Sequence, residues 1–145
     1  MDLKMYIDFD ILKQYIDEPE LINLTDDNNT GIVNIEVLND MISSAEAEVD
    51  SYLRDQYPLP LQTPVPKLIE SICADITIYN LYKRRKRLDM PESISDLYKS
   101  AIDNLLKIRR GTIILSLPKN ETAGNIKVNK TEDDRIFTDD LLDKL

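Results

Sequence analysis

The chain contains no histidine, and that absence removes the Ser-His and Cys-His nucleophilic pairs, the HExxH zinc proteases and every histidine general base. Its one cysteine, Cys73, can form no internal disulfide and supplies too few thiolates for a structural zinc site. Only three glycines occur, Gly31, Gly111 and Gly124, so neither a GxGxxG dinucleotide loop nor a Walker A loop can be written. No apolar run approaches the ~18 residues that cross a bilayer, and the mean hydropathy of −0.34 agrees. Asp8 and Asp10 arrive before any apolar stretch develops, unlike a signal peptide. These absences lead to the expectation of a protein folded in the cytoplasm, with no catalytic role, no cofactor, no metal and no membrane partner.

What is present fits one soluble domain. A chain of 145 residues, 42% hydrophobic and 31% charged, is long enough to bury a core of its own. The net charge of −9 conceals an asymmetry. Residues 1–57 hold 14 acidic against 3 basic side chains, net −11, whereas residues 58–117 hold 6 against 10, net +4. An acidic first half and a basic second half point either to internal pairing of faces or to head-to-tail contact between copies.

The apolar spacing predicts an all-α fold. Short N-terminal helices are expected at Asp10–Ile16, capped by Asp8 or Asp10, and around Glu18–Ile22, with a turn at Asp26–Gly31. The strongest helix runs from an Asn34 N-cap to about Gln56, with Leu38, Met41, Ile42, Ala45, Val49, Tyr52 and Leu53 on one face. Four prolines between Pro58 and Pro66 then stop it and form a stiff connector without a PxxP spacing. A second helix, from about Pro66, buries Leu68, Ile69, Ile72, Cys73, Ile76, Tyr79 and Tyr82 and finishes in the cations at 83–87. A third, from about Pro91 to Arg110, buries Ile94, Leu97, Tyr98, Ala101, Leu105 and Ile108 and stops at Gly111. Three helices of these lengths make a bundle, in whose core Tyr52, Tyr79 and Tyr98 are expected to converge. Thr112–Leu117 is β-prone and is a candidate single strand with no sheet to join. The division is then a helical domain over residues 1–117 and a flexible C-terminal arm over 118–145 that orders on assembly.

Few motifs carry chemistry. Asp26, Asn28, Thr30 and Gly31 have the opening spacing of an EF-hand loop, but its twelfth position is Val37 where a bidentate glutamate belongs, so a plain Asx-rich turn is the better reading. Lys83, Arg84, Arg85, Lys86 and Arg87 form a run of five cations that suits phosphate or a neighbour's acidic face, or simply a solvated helix end favoured by its dipole. Glu46, Glu48 and Asp50 read as a solvated acidic face, and Cys73 as a core residue. At the C-terminal end, Ile113, Ile114 and Leu115 in the strand-prone segment and Ile136, Phe137, Leu141, Leu142 and Leu145 at the tip make a candidate assembly arm.

Taken in order, Leu24-Thr25-Asp26 with its Asx/Gly turn, Ala45-Glu46-Ala47-Glu48-Val49-Asp50-Ser51-Tyr52-Leu53, Tyr57-Pro58-Leu59-Pro60-Leu61, Pro66-Lys67-Leu68 and Tyr79-Asn80-Leu81-Tyr82, followed by Tyr98 and Gly111, resemble the small virion proteins of Mu-type phages and prophages over residues 5–117. The resemblance implies a head-completion or head-to-tail connector subunit. Such a subunit forms a ring of copies of itself, meets the portal and the tail or neck proteins, touches packaged DNA non-specifically, and resides at the neck of the virion. It implies no catalytic residues. The alternative from another class is a small intracellular regulatory module that binds a partner protein through its acidic helix or basic helix end.

Overall fold

The structure, a computed structural model, describes residues 5–120. Its elements are α1 (Phe9–Leu12), α2 (Glu18–Thr25), α3 (Ile35–Leu53), α4 (Lys67–Arg84) and α5 (Glu92–Arg109). The fold is all-α, with α3, α4 and α5 packed together and the segment carrying α1 and α2 laid against α3 and α4.

Each boundary has a local cause. The Asp8 side chain accepts from the N–H of Ile11 and starts α1, which is a single turn, shorter than its apolar spacing predicts. Asn34 caps α3 by accepting from the N–H groups of Glu36 and Val37 at 3.1 and 3.2 Å. Val33 before that cap and Leu38 after it are both buried, the positions of a hydrophobic staple. Pro66 and Pro91 precede α4 and α5, where a missing N–H costs nothing. α5 closes in a Schellman arrangement: the N–H of Thr112 reaches the Lys107 carbonyl at 2.8 Å, and that of Gly111 reaches Ile108 at 3.0 Å. Gly111 sits at φ +84°, which a side chain would strain.

The core is one continuous cluster, with Leu38, Ile42, Ala45, Val49 and Leu53 from α3, Ile69, Ile72, Cys73 and Ile76 from α4, and Ala101, Leu105 and Ile108 from α5. Each aliphatic side chain buried there contributes roughly 1.5–3 kcal/mol by leaving water. α4 is central, touching α2, α3 and α5, so it also buries Ala74, Thr77, Ile78 and Leu81, which a single amphipathic stripe does not include. The two buried threonines answer their own hydroxyls, Thr25 to the Leu21 carbonyl and Thr77 to the Cys73 carbonyl, each at 2.7 Å.

Three expectations need correction. Leu97 is not buried but 47% exposed on α5. Tyr52, Tyr79 and Tyr98 do not meet at the centre of the core: all three are half-buried at its rim, Tyr79 stacked on Tyr98 with ring centroids 3.9 Å apart and Tyr52 beneath the Arg109 guanidinium at 5.0 Å. The fully buried tyrosine is Tyr57, in the proline connector. Residues 112–117 form no strand, and no strand occurs among the described residues. That segment runs irregularly over the bundle, with Leu115 buried and its N–H donating to the Tyr57 hydroxyl at 2.9 Å, so a tyrosine answers the backbone group that a sheet would have answered.

Candidate functional site

The bundle is antiparallel, and this brings charged side chains from separate parts of the chain to its two ends. At the first end lie the start of α3, the loop from Asp26 to Asn34, and the end of α4 with its five cations. The structure divides those cations. Arg84 reaches back to α2, donating to the Leu24 carbonyl at 2.8 Å and pairing with Asp27 at 2.6 Å, and Arg85 pairs with the other Asp27 oxygen at 2.6 Å. Arg84, by its hydrogen bond above all, and then Arg85 hold the Asp27 carboxyl below its usual range. These two arginines are therefore fold residues that fasten the end of α2 to the end of α4. Lys83, Lys86 and Arg87 remain exposed, Lys83 lying 6.0 Å over the Tyr79 ring.

The loop beside them is closed by its own acid. Asp26 accepts from the Thr30 N–H at 2.8 Å, the Thr30 hydroxyl at 2.9 Å and the Gly31 N–H at 2.7 Å, and the two backbone donors hold its carboxyl below the usual range. Asn29 at φ 58° and Gly31 at φ 84° supply the left-handed turns this requires. The spacing that resembles an ion-binding loop thus builds an Asx-closed turn, and among the described residues no three acidic or thiol side chains gather as a metal site.

Glu46, Glu48 and Asp50 on α3 are not a solvated face, which corrects the expectation for them. All three are half-buried. Glu46 accepts from the backbone N–H groups of Tyr6 and Ile7, Asp50 from the Tyr6 hydroxyl at 2.6 Å, and Glu48 from the Tyr98 hydroxyl at 3.0 Å. Burial pushes the carboxyls of Glu46 and Asp50 above their usual range. The same pairing recurs between Tyr15 and Glu70 and between Tyr82 and Glu20, both at 2.7 Å. Desolvation, reinforced by the neighbouring carboxylate, raises the hydroxyls of Tyr15, Tyr82 and Tyr98 to about 12. Tyrosine thus serves this protein as a donor to acids from distant segments. Cys73 is buried in the core, where burial raises its thiol well above the usual range.

The opposite end assembles a second cationic group that sequence reasoning missed. Asn120 donates through its side chain to the Arg54 carbonyl at 3.1 Å and through its N–H to Gln56 at 3.0 Å, and the Gln56 side chain donates to the Arg109 carbonyl at 3.1 Å. These bonds gather Arg54, Arg109, Arg110 and Lys119, all exposed, around the end of the bundle, and none forms a salt bridge with another described residue. The only sequence signal was the pair Arg109-Arg110; Arg54 and Lys119 are far from it along the chain. Of the candidate arm, Leu115 is buried, Ile113 half-buried and Ile114 68% exposed. Ile136, Phe137, Leu141, Leu142 and Leu145 lie outside the described residues.

The described residues thus form a small helical bundle with exposed cations at both ends and several half-buried acids bonded to tyrosines. Comparison with known families is specific: the chain belongs to the bacteriophage Mu Gp36 family, whose model matches residues 6–131. No curated protein matches the chain. No helix among the described residues is long and apolar enough to cross a membrane.

Proposed function

We propose that this phage protein is a structural component of the virion, a head-completion or head-to-tail connector subunit that forms a ring with its own copies between the portal and the tail. The observation that carries the proposal is the family match across residues 6–131 of a chain folded as a helical bundle. Three features support it. Four half-buried acids, Glu20, Glu48, Asp50 and Glu70, are taken up in tyrosine–carboxylate bonds that tie distant segments of the fold together. Exposed cations at both ends offer sites for macromolecular partners. The chain's apolar C-terminal tip, Ile136 to Leu145, can add to a portal, tail or neck protein as an assembly arm.

Of the run at 83–87, Lys83, Lys86 and Arg87 are the cations left exposed to meet packaged DNA, and contacts of that kind are independent of sequence and weaken with salt. The subunit needs no cofactor in this reading; it is made in the host cytoplasm and ends at the neck of the particle. Deleting its gene from an inducible phage is expected to yield DNA-filled heads without tails, with tailed particles restored by expression in trans. Tailed, infectious particles at normal yield after the deletion overturn the proposal.

A further inference from the structure

The two ends of the bundle differ in charge balance. At the first end, residues 26–36 and 83–92 carry five cations and five acids, and Asp27 holds both Arg84 and Arg85. At the opposite end, residues 54–56 and 109–120 carry four cations, Arg54, Arg109, Arg110 and Lys119, against one acid, Asp55. The hydrogen bonds of Asn120 to Arg54 and Gln56, and of Gln56 to Arg109, tie these segments together, and the Arg109 guanidinium lies over the Tyr52 ring at 5.0 Å. Ile114, in the same stretch, is 68% exposed, more than any other large hydrophobic side chain among the described residues. Like charges gathered at one end repel one another, so that end gains by meeting an anion, and Ile114 gains by meeting an apolar side chain.

The chain continues from this end into a stretch of matching composition. Residues 132–143 hold six acids and one base, net −5, interleaved with Ile136, Phe137, Leu141 and Leu142. Residues 121–131, which precede them, reach at most about 40 Å at 3.3–3.6 Å per residue. Their starting point, Asn120, is itself bonded at the basic end. The first end lies farther off by the length of α3, whose 19 residues span about 28 Å at 1.5 Å per residue. So short a covalent tether keeps the acids at a millimolar effective concentration around the cations, which adds up ion pairs that are individually weak.

We propose that residues 132–143 cover the basic end of their own subunit, with their carboxylates against Arg54, Arg109, Arg110 and Lys119 and their apolar side chains against Ile114. In the free subunit the arm is then parked on the end from which it starts. A portal, tail or neck protein that takes the arm uncovers the cations in the same step, so the two binding surfaces become available together. The contact is mainly electrostatic and therefore weakens with salt. The inference rests on the arm reading above and says where the arm lies before assembly.

The test uses the full chain with Thr138→Cys carrying a nitroxide spin label; the native Cys73 is buried and does not compete for it. Broadening of the backbone amide signals of residues 54–56 and 109–120 is compared with that in a chain of the same length whose six acids in 132–143 are replaced by their amides. The acidic chain is expected to show about threefold stronger broadening than the neutral one at about 0.01 M salt, where charges are felt over about 30 Å, and equal broadening at about 1 M, where that length is about 3 Å. Arg54→Gln with Arg110→Gln is expected to remove at least half of the difference. Equal broadening in the acidic and neutral chains at low salt, or broadening centred on residues 83–92, overturns the contact. So does broadening passed in a mixture from a spin-labelled chain to a separate isotope-labelled one, which puts the segment on a second copy. Each of these failures leaves the connector reading standing, whereas tailed particles without the protein reject the connector reading itself.

Discussion

The three long helices and the segment in front of them are held by different chemistry. Between α3, α4 and α5 the contact is aliphatic, with Ile42, Val49, Ile72, Ile76 and Leu105 fully enclosed. Residues 5–34 also bury apolar side chains, Ile7, Leu12, Leu21 and Leu24, but they are located by polar bonds: Glu46 to the backbone of Tyr6 and Ile7, Asp50 to the Tyr6 hydroxyl, Glu70 to Tyr15, Glu20 to Tyr82, and Arg84 to Leu24 and Asp27. Apolar burial is insensitive to direction, whereas these bonds specify register and respond to pH and single-atom changes. The difference predicts a bundle that melts as a unit and an N-terminal segment that can be loosened alone.

The largest effect should come from the bundle. Ile72→Ala removes a buried side chain at the centre of α4 and is expected to cost about 2–5 kcal/mol, visible as a lower melting temperature for the whole protein. A loss confined to the N-terminal amides in hydrogen exchange would break the comparison from the bundle's side. Next come the cations at the end of α4 and just after it: Arg84→Ala strips the Leu24 carbonyl of its side-chain donor and Asp27 of one of its two arginines and should cost about 1–3 kcal/mol, while Lys86→Ala should change stability by less than about 0.5 kcal/mol. Equal effects at the two positions would mean that the division of the basic run is wrong. Tyr6→Phe deletes one oxygen that donates to Asp50 and accepts from the Leu61 N–H at 3.1 Å. It is expected to cost about 1–2 kcal/mol and to speed amide exchange in residues 5–12 more than in α5.

The smallest effect is a pH dependence. Burial raises the Asp75 carboxyl on α4 from its ordinary value to about 6. The folded state therefore keeps a proton that the unfolded chain releases, so Asp75 lowers stability as pH rises from about 4 to 6 and by a constant amount above that. Asp75→Asn is expected to stabilise by about 1 kcal/mol at pH 7.5, since solvent screens this half-buried group, and to have no such benefit below pH 4. Asp27 acts in the opposite sense: its carboxyl is held low by Arg84 and Arg85, so its contribution is present above the ordinary carboxylate range and is lost as pH falls through the lowered value. A melting temperature of Asp75→Asn that follows the parent at every pH would remove Asp75 from this account.

Much of the fold was legible because helices announce themselves locally. Asn34, Pro66, Pro91 and Gly111 mark boundaries within a residue or two of those observed, and the aliphatic stripe of α3 is the buried stripe. Legibility failed where the deciding contact was distant. Glu46, Glu48 and Asp50 look like any exposed acids until Tyr6 and Tyr98, some 40 to 50 positions away, arrive to donate to them. Arg84 and Arg85 cannot be told from Lys83, Lys86 and Arg87 by composition, because only the position of Asp27 separates them. The β-prone residues 112–117 obey the same rule, since the buried Tyr57 hydroxyl provides the partner that propensity assigned to another strand. A small apolar hollow was invisible for a simpler reason: Pro58, Pro60 and Leu61 meet Leu117 and Pro118 only when the bundle closes.

The central claim is that this chain sits between head and tail, and the most direct measurement is its position in the particle. An exposed site such as Lys99 can carry a small tag without touching the core or either end of the bundle. Cryo-electron microscopy of tagged virions is predicted to show the tag as a ring of density at the head–tail vertex, between portal and tail. Tag density along the tail tube, over the capsid shell, or absent from purified particles would contradict the account.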